Sequence, residues 1–208
     1  MKKGIKYYLL AYNGIAFLAW AAFALAFLAK MGSISLLLLN IAQGLAVLEI
    51  IHAVLGWVRS PLGSTAAQVA SRILVLILLN LFIGDEELRY AFYGLLMVSF
   101  AWTLTELIRY SFYFLGLLGR QPRWLLWMRY SFFIFLYPFG VTGEWLVILS
   151  PIIAFGFKAQ VPVAFGGCHS FDLNLTYYSI FAAFLAISYI YYFPVLYGYM
   201  WKQRKAKL

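Results

Sequence analysis

Six apolar runs, parted by short polar turns, constrain this chain more than any other feature. They cover about residues 7–29, 34–58, 68–83, 90–115, 124–149 and 173–200. A hydrocarbon core about 30 Å thick calls for about 20 apolar residues per helix. The turns between the runs are too short to hold a soluble domain. With 65% hydrophobic and 11% charged residues among 208, and a mean hydropathy of +0.87, the chain lies outside the range of soluble domains. The prediction is an all-α polytopic membrane protein: one domain over residues 1–208, with six transmembrane helices in one bundle. The run at 68–83 is the shortest, with Arg72 near its start, and reads as tilted or as beginning at the interface. Residues 150–172 hold three glycines and two prolines and read as a loop or re-entrant segment.

Charge orients the bundle. A net charge of +9 can signal nucleic-acid binding, but here the Lys and Arg residues gather in the segments between apolar runs. No nucleic-acid partner is expected, because short cytosolic loops collect these residues. With a cytosolic amino terminus, six spans return the carboxyl terminus to the same side. That side then holds Lys2, Lys3, Lys6, Arg59, Arg120, Arg123, Lys202, Arg204, Lys205 and Lys207, against Lys30, Arg89 and Lys158 opposite. The single cysteine, Cys168, excludes an intrachain disulfide and a cysteine-based zinc cluster. Beside His169 it could bind a metal only with help from elsewhere, so no metal site is expected.

Ionisable residues within apolar spans are costly and are functional candidates by default. Glu49 and His52 stand three residues apart, on one helix face. They form a buried pair that holds the helix against a neighbour, or else a proton relay or substrate contact. Glu106 and Arg109 repeat that spacing as an intrahelical ion pair, and Tyr110 and Tyr113 extend the stripe far enough to line a cavity. Tyr7, Tyr8, Tyr191, Tyr192, Tyr197 and Tyr199 lie near span ends and read as an interfacial belt.

The fifth span carries Arg129-Tyr130, then Tyr137-Pro138-Phe139-Gly140, then Gly143-Glu144. Tyr137 and Glu144 are seven residues apart, so a regular helix leaves them about 20° out of line and about 10 Å apart along its axis. Pro138 removes a backbone donor, and Gly140 and Gly143 add freedom. A break here brings both groups toward one small substrate; the alternative is a kinked helix with purely structural polar groups.

These pieces together resemble the very-long-chain 3-hydroxyacyl-CoA dehydratases, also called the protein tyrosine phosphatase-like A family. The resemblance rests on Tyr12-Asn13, Leu48-Glu49-x-x-His52, Val58-x-Ser60, Gln68-x-x-Ser71-Arg72, Trp102-x-x-x-Glu106-x-x-Arg109-Tyr110-x-x-Tyr113 and Arg129-Tyr130 leading to Tyr137-Pro138-x-Gly140-x-x-x-Glu144, in that order. It implies six spans in the endoplasmic reticulum membrane with both termini cytosolic. It implies the third step of fatty acid elongation, loss of water from a 3-hydroxyacyl-CoA to give the trans-2-enoyl-CoA, with Tyr137 and Glu144 as the catalytic pair. A phosphatase would need an arginine six residues after its cysteine, and Asn174 stands six after Cys168.

On this reading the partners are an acyl-CoA, membrane lipid and other elongation enzymes, namely the condensing enzyme and the reductases. No cofactor is expected, because the reaction changes no oxidation state and CoA is part of the substrate. The nucleotide would rest near Arg59, Arg120 and Arg123. Tyr137 would polarise the thioester or help take the C2 proton, and Glu144 would protonate the leaving hydroxyl. A carboxylate base with a tyrosine donor is equally sound chemistry. Glu49, His52, Arg72, Glu106, Arg109, Tyr110 and Arg129 would support or position the substrate. The competing readings are an inactive scaffold for elongation enzymes and a lipid transporter, though a transporter would often show an inverted repeat and none is found.

Overall fold

The structure, a computed structural model, describes residues 2–58, 60–82, 86–156, 160–165 and 169–208. Its helices are α1 (Lys3–Leu28), α2 (Gly32–Leu45), α3 (Val47–Val54), α4 (Leu62–Phe82), α5 (Arg89–Leu117), α6 (Arg123–Ser131), α7 (Phe133–Phe155) and α8 (Leu175–Lys207). Strands β1 (Gln160–Phe165) and β2 (His169–Asn174) lie between α7 and α8. Among the described residues six helical stretches are long and apolar enough to cross a membrane: α1, α2 with α3, α4, α5 with the turn before it, α7 and α8. The chain is an all-α, multi-pass membrane protein with one small hairpin.

Several boundaries depart from the sequence reading, each for a local reason. Helix α4 begins at Leu62 and has 21 residues, enough for about 31 Å. Its extra turn is made by the polar residues that read as a loop: the Ser64 and Thr65 hydroxyls both donate to the Pro61 carbonyl at 3.1 Å. The second span is divided at Ala46, where the Ala46 N–H donates to Gln43 O and the Glu49 N–H to Ala46 O. These tighter bonds separate α2 from α3. Among the described residues of 150–172 the loop or re-entrant reading gives way to helix and strand. Helix α7 runs through Pro151 to Phe155, and β1 and β2 pair antiparallel from Gln160↔Asn174 to Phe165↔His169. Asn174 then caps α8, its Oδ1 accepting from the N–H groups of Thr176 and Tyr177 at 3.1 and 3.3 Å.

The fifth span differs most. The predicted run 124–149 is two helices, α6 and α7, parted at Phe132. Helix α7 continues unbroken through Pro138. Proline cannot bond the carbonyl four residues back, which here belongs to Ile134, and the Tyr197 hydroxyl of α8 donates to that oxygen at 3.4 Å. Gly143 is a contact rather than a hinge. A Cβ there would lie 2.7 Å from Met97 Cβ, and one at Gly94 would lie 2.7 Å from the Gly143 carbonyl oxygen. The two glycines let α5 and α7 approach backbone to backbone.

The chain forms two compact units, Met1–Leu76 with Thr103–Arg129, and Ile77–Trp102 with Tyr130–Leu208. In the first, α1 buries Leu9, Tyr12, Ala16, Trp20, Phe23 and Ala26 at three- and four-residue spacing, and α2 buries Leu39 and Ala42. In the second, Val98, Val147, Ile148 and Leu175 are buried, and the Tyr178 hydroxyl donates to Ile148 O at 2.6 Å. Each unit closes around its own polar cluster.

Candidate active site

In the second unit Tyr137 and Glu144 lie two turns apart on α7, and both face α8. Glu144 is buried, with 7% of its surface exposed. Its Oε1 accepts from the Trp102 indole N–H at 3.2 Å, and its Oε2 accepts from the Tyr189 hydroxyl at 2.6 Å. Donors from α5 and α8 thus aim at one carboxyl group on α7. Trp145 packs edge-on against Tyr189, with centroids 5.4 Å apart, and fixes that ring.

Tyr137 is half-buried and lies parallel to two α8 rings, Phe193 at 5.0 Å and Tyr197 at 6.1 Å between centroids. Residues 189, 193, 197 and 201 recur every four positions, so α8 presents an aromatic stripe to α7. Trp201 continues it against Phe133 at 5.7 Å. The expected break at Pro138 is absent. The two groups lie on one face of a continuous helix, about 10 Å apart along its axis, rather than across a kink.

The first unit holds a second cluster. Glu49 accepts a forked pair from Arg109, Nη1 at 2.5 Å and Nη2 at 2.6 Å, and further bonds from the hydroxyls of Tyr110 at 2.7 Å and Tyr12 at 3.3 Å. Glu106, 1% exposed, accepts from Arg109 Nε at 2.7 Å and from Arg72 Nη1. Two carboxylates and two guanidinium groups balance in charge. The i, i+3 pair of Glu106 and Arg109 is therefore present, but Glu49 and His52 take different partners. His52 meets the Tyr8 hydroxyl through Nε2 at 2.9 Å and stacks on Trp57 at 5.9 Å.

The remaining candidates separate. Arg129 donates to the Tyr113 hydroxyl at 3.5 Å, with its guanidinium 5.9 Å from that ring. Arg120 and Arg123 are exposed at the connection from α5 to α6. Arg59 and Cys168 lie outside the described residues. Tyr110 does not line an open face, being buried at 1% exposure. Tyr8 and Tyr197, read as belt residues, turn their hydroxyls to interior partners. Tyr189 went unremarked in the sequence. The one signal for it was the four-residue aromatic recurrence on α8.

Six helical stretches of membrane length, and in the second unit a buried carboxyl group gripped by an indole and a phenol, define a multi-pass membrane protein with a buried polar centre. The chain belongs to the protein tyrosine phosphatase-like protein family, PTPLA, whose model matches residues 43–208. It is 37% identical to the very-long-chain (3R)-3-hydroxyacyl-CoA dehydratase hpo-8 of Caenorhabditis elegans, over 97% of this chain and 94% of that one. It is 36% identical to the dehydratase PASTICCINO 2 of Arabidopsis thaliana, over 97% and 92% of the two chains. Against dehydratase 2 of Mus musculus the identity is 35%, over 97% and 80%. No solved structure matches.

Proposed function

We propose that the chain dehydrates long- and very-long-chain (3R)-3-hydroxyacyl-CoA to the trans-2-enoyl-CoA, the third step of fatty acid elongation, at Tyr137 and Glu144. One observation carries the assignment of roles: both Glu144 oxygens accept hydrogen bonds, from Trp102 and from Tyr189. A group held this way is set to receive a proton, which favours Glu144 as the base. Tyr137 lies nearer the start of α7 and meets the thioester first when the substrate enters from that end. Its hydroxyl donates to the thioester oxygen, where negative charge develops as the C2 proton leaves. Glu144 takes that proton, the C2–H electron pair becomes the C2–C3 double bond, and the C3–O bond breaks. The proton on Glu144 passes to the departing hydroxyl, which leaves as water and restores the carboxylate. No electron is gained or lost, so the reaction as written consumes no cofactor.

The finer setting follows from sequence and chemistry. The excess of Lys and Arg on one side supports cytosolic termini, and the family supports residence in the endoplasmic reticulum membrane. The substrate must be supplied by a reductase acting on a 3-oxoacyl-CoA, and the product consumed by a second reductase, so these enzymes and the condensing enzyme are the expected neighbours.

The test is conversion of a long-chain (3R)-3-hydroxyacyl-CoA by purified protein in detergent, followed by the absorbance of the conjugated enoyl thioester. The unmodified chain turns over, while Tyr137→Phe and Glu144→Gln, folded by their melting curves, do not. Inactivity of the unmodified chain would return the scaffold reading. Full turnover by either variant would remove the site from α7.

A further inference from the structure

We propose that Arg204 binds the pyrophosphate of the substrate's coenzyme A. The inference rests on the dehydratase reading and extends it along α8. The last two turns of that helix carry Lys202, Arg204, Lys205 and Lys207. The three lysines are exposed, whereas Arg204 is half-buried. It folds back on the second unit: Nε donates to Ser131 Oγ at 3.3 Å, and the guanidinium lies 5.5 Å from the centre of the Trp201 ring. Among the described residues this Nε bond is the only hydrogen bond of its side chain. Both terminal nitrogens remain to offer a planar fork to phosphate oxygens.

Spacing supports the same occupant. From Phe193, which stacks on Tyr137, to Arg204 is eleven residues of continuous helix, about 16 Å. From thioester sulfur to pyrophosphate, the pantetheine arm has about as many bonds as four to five residues of extended backbone, or about 15–17 Å. A thioester at Tyr137 therefore places the pyrophosphate beside Arg204. Phe193, Tyr197 and Trp201 line the path between, and Tyr189 with Glu144 lies beyond the thioester. The sequence places nucleotide, arm, thioester and reacting carbons in one order along a single helix.

Free coenzyme A and free pantetheine are the probes, with the purified full chain in neutral detergent. Arg204→Gln weakens coenzyme A binding by about 10-fold or more, the scale of a charge-assisted hydrogen bond. It leaves pantetheine binding as in the unmodified protein. In turnover its effect falls on KM rather than kcat for the coenzyme A thioester. It vanishes for the same acyl group on pantetheine. Lys202→Gln serves as the exposed-charge control and moves neither probe.

Equal coenzyme A affinity in Arg204→Gln and the unmodified chain overturns the inference, as does an equal loss of both probes. If Arg204 instead anchors a lipid phosphate, the variant loses affinity for anionic-lipid nanodiscs while coenzyme A binding stays unchanged, and the inference again falls. A chain that binds coenzyme A through Arg204 yet turns over no 3-hydroxyacyl-CoA sustains the site and removes the dehydratase reading.

Discussion

Replacing Arg109 with methionine tests how the first unit is held together. Methionine keeps much of the volume and removes the charge. The change deletes the fork to Glu49 at 2.5 and 2.6 Å, the Nε bond to Glu106 at 2.7 Å and the Nη2 bond to the Tyr110 hydroxyl at 3.0 Å. Two carboxylates then face one remaining cation, Arg72, and a balanced buried cluster acquires a net negative charge. Removing one partner of a buried ion pair costs about 3–5 kcal/mol. For a chain of 208 residues, at about 2–4 °C per kcal/mol, the melting temperature falls by about 6–20 °C. The assay is thermal unfolding in detergent, read by tryptophan fluorescence. Arg109→Lys should fall between, since it keeps the charge and loses the fork. Adding Glu49→Gln to Arg109→Met restores neutrality, so the double variant melts above the single one, with a coupling of about 0.5–3 kcal/mol. An Arg109→Met protein that melts with the parent, or a double variant showing the plain sum of both losses, would refute the reasoning.

Three further outcomes follow from other contacts. Tyr189→Phe removes the 2.6 Å bond to Glu144 and lowers kcat by about 10–100-fold, the scale of a hydrogen bond to a charged group. On a Glu144→Gln background the same change has no further effect, and steady-state kinetics of the four proteins measures both. Gly143→Ala sets a methyl 2.7 Å from Met97 Cβ and should cost about 1–3 kcal/mol of overpacking, seen as a lower melting temperature. Asn174→Ala deletes both cap bonds at the start of α8 and should cost about 0.5–2 kcal/mol in the same measurement.

Which helices exist was legible in the sequence because a bilayer imposes one requirement on them all. Backbone groups must be satisfied within a span about 20 residues long, and six such runs are plain to see. Glu49, Glu106, Arg109 and Glu144 stood out for the same reason, since a charge in an apolar run needs a partner. The choice of partner was not legible. Spacing paired Glu49 with His52 on one helix, but the carboxylate met Arg109 from sixty residues away, because a guanidinium fork satisfies both its oxygens and a single imidazole cannot. Pro138 and Gly143 announced a broken helix by their local chemistry. The tertiary structure decided otherwise: Tyr197 takes the carbonyl freed by Pro138, and the missing Cβ of Gly143 lets α5 close in. Tyr189 could not be singled out from sixteen tyrosines in an aromatic-rich chain. Its role is set only when α8 packs antiparallel on α7 and brings its hydroxyl to Glu144. The sequence by itself determined how many helices cross and which charges must be buried, because those follow from the solvent. Which charge meets which, and which face becomes a site, depended on packing between distant segments, where hydrogen-bond geometry and close approach select one arrangement.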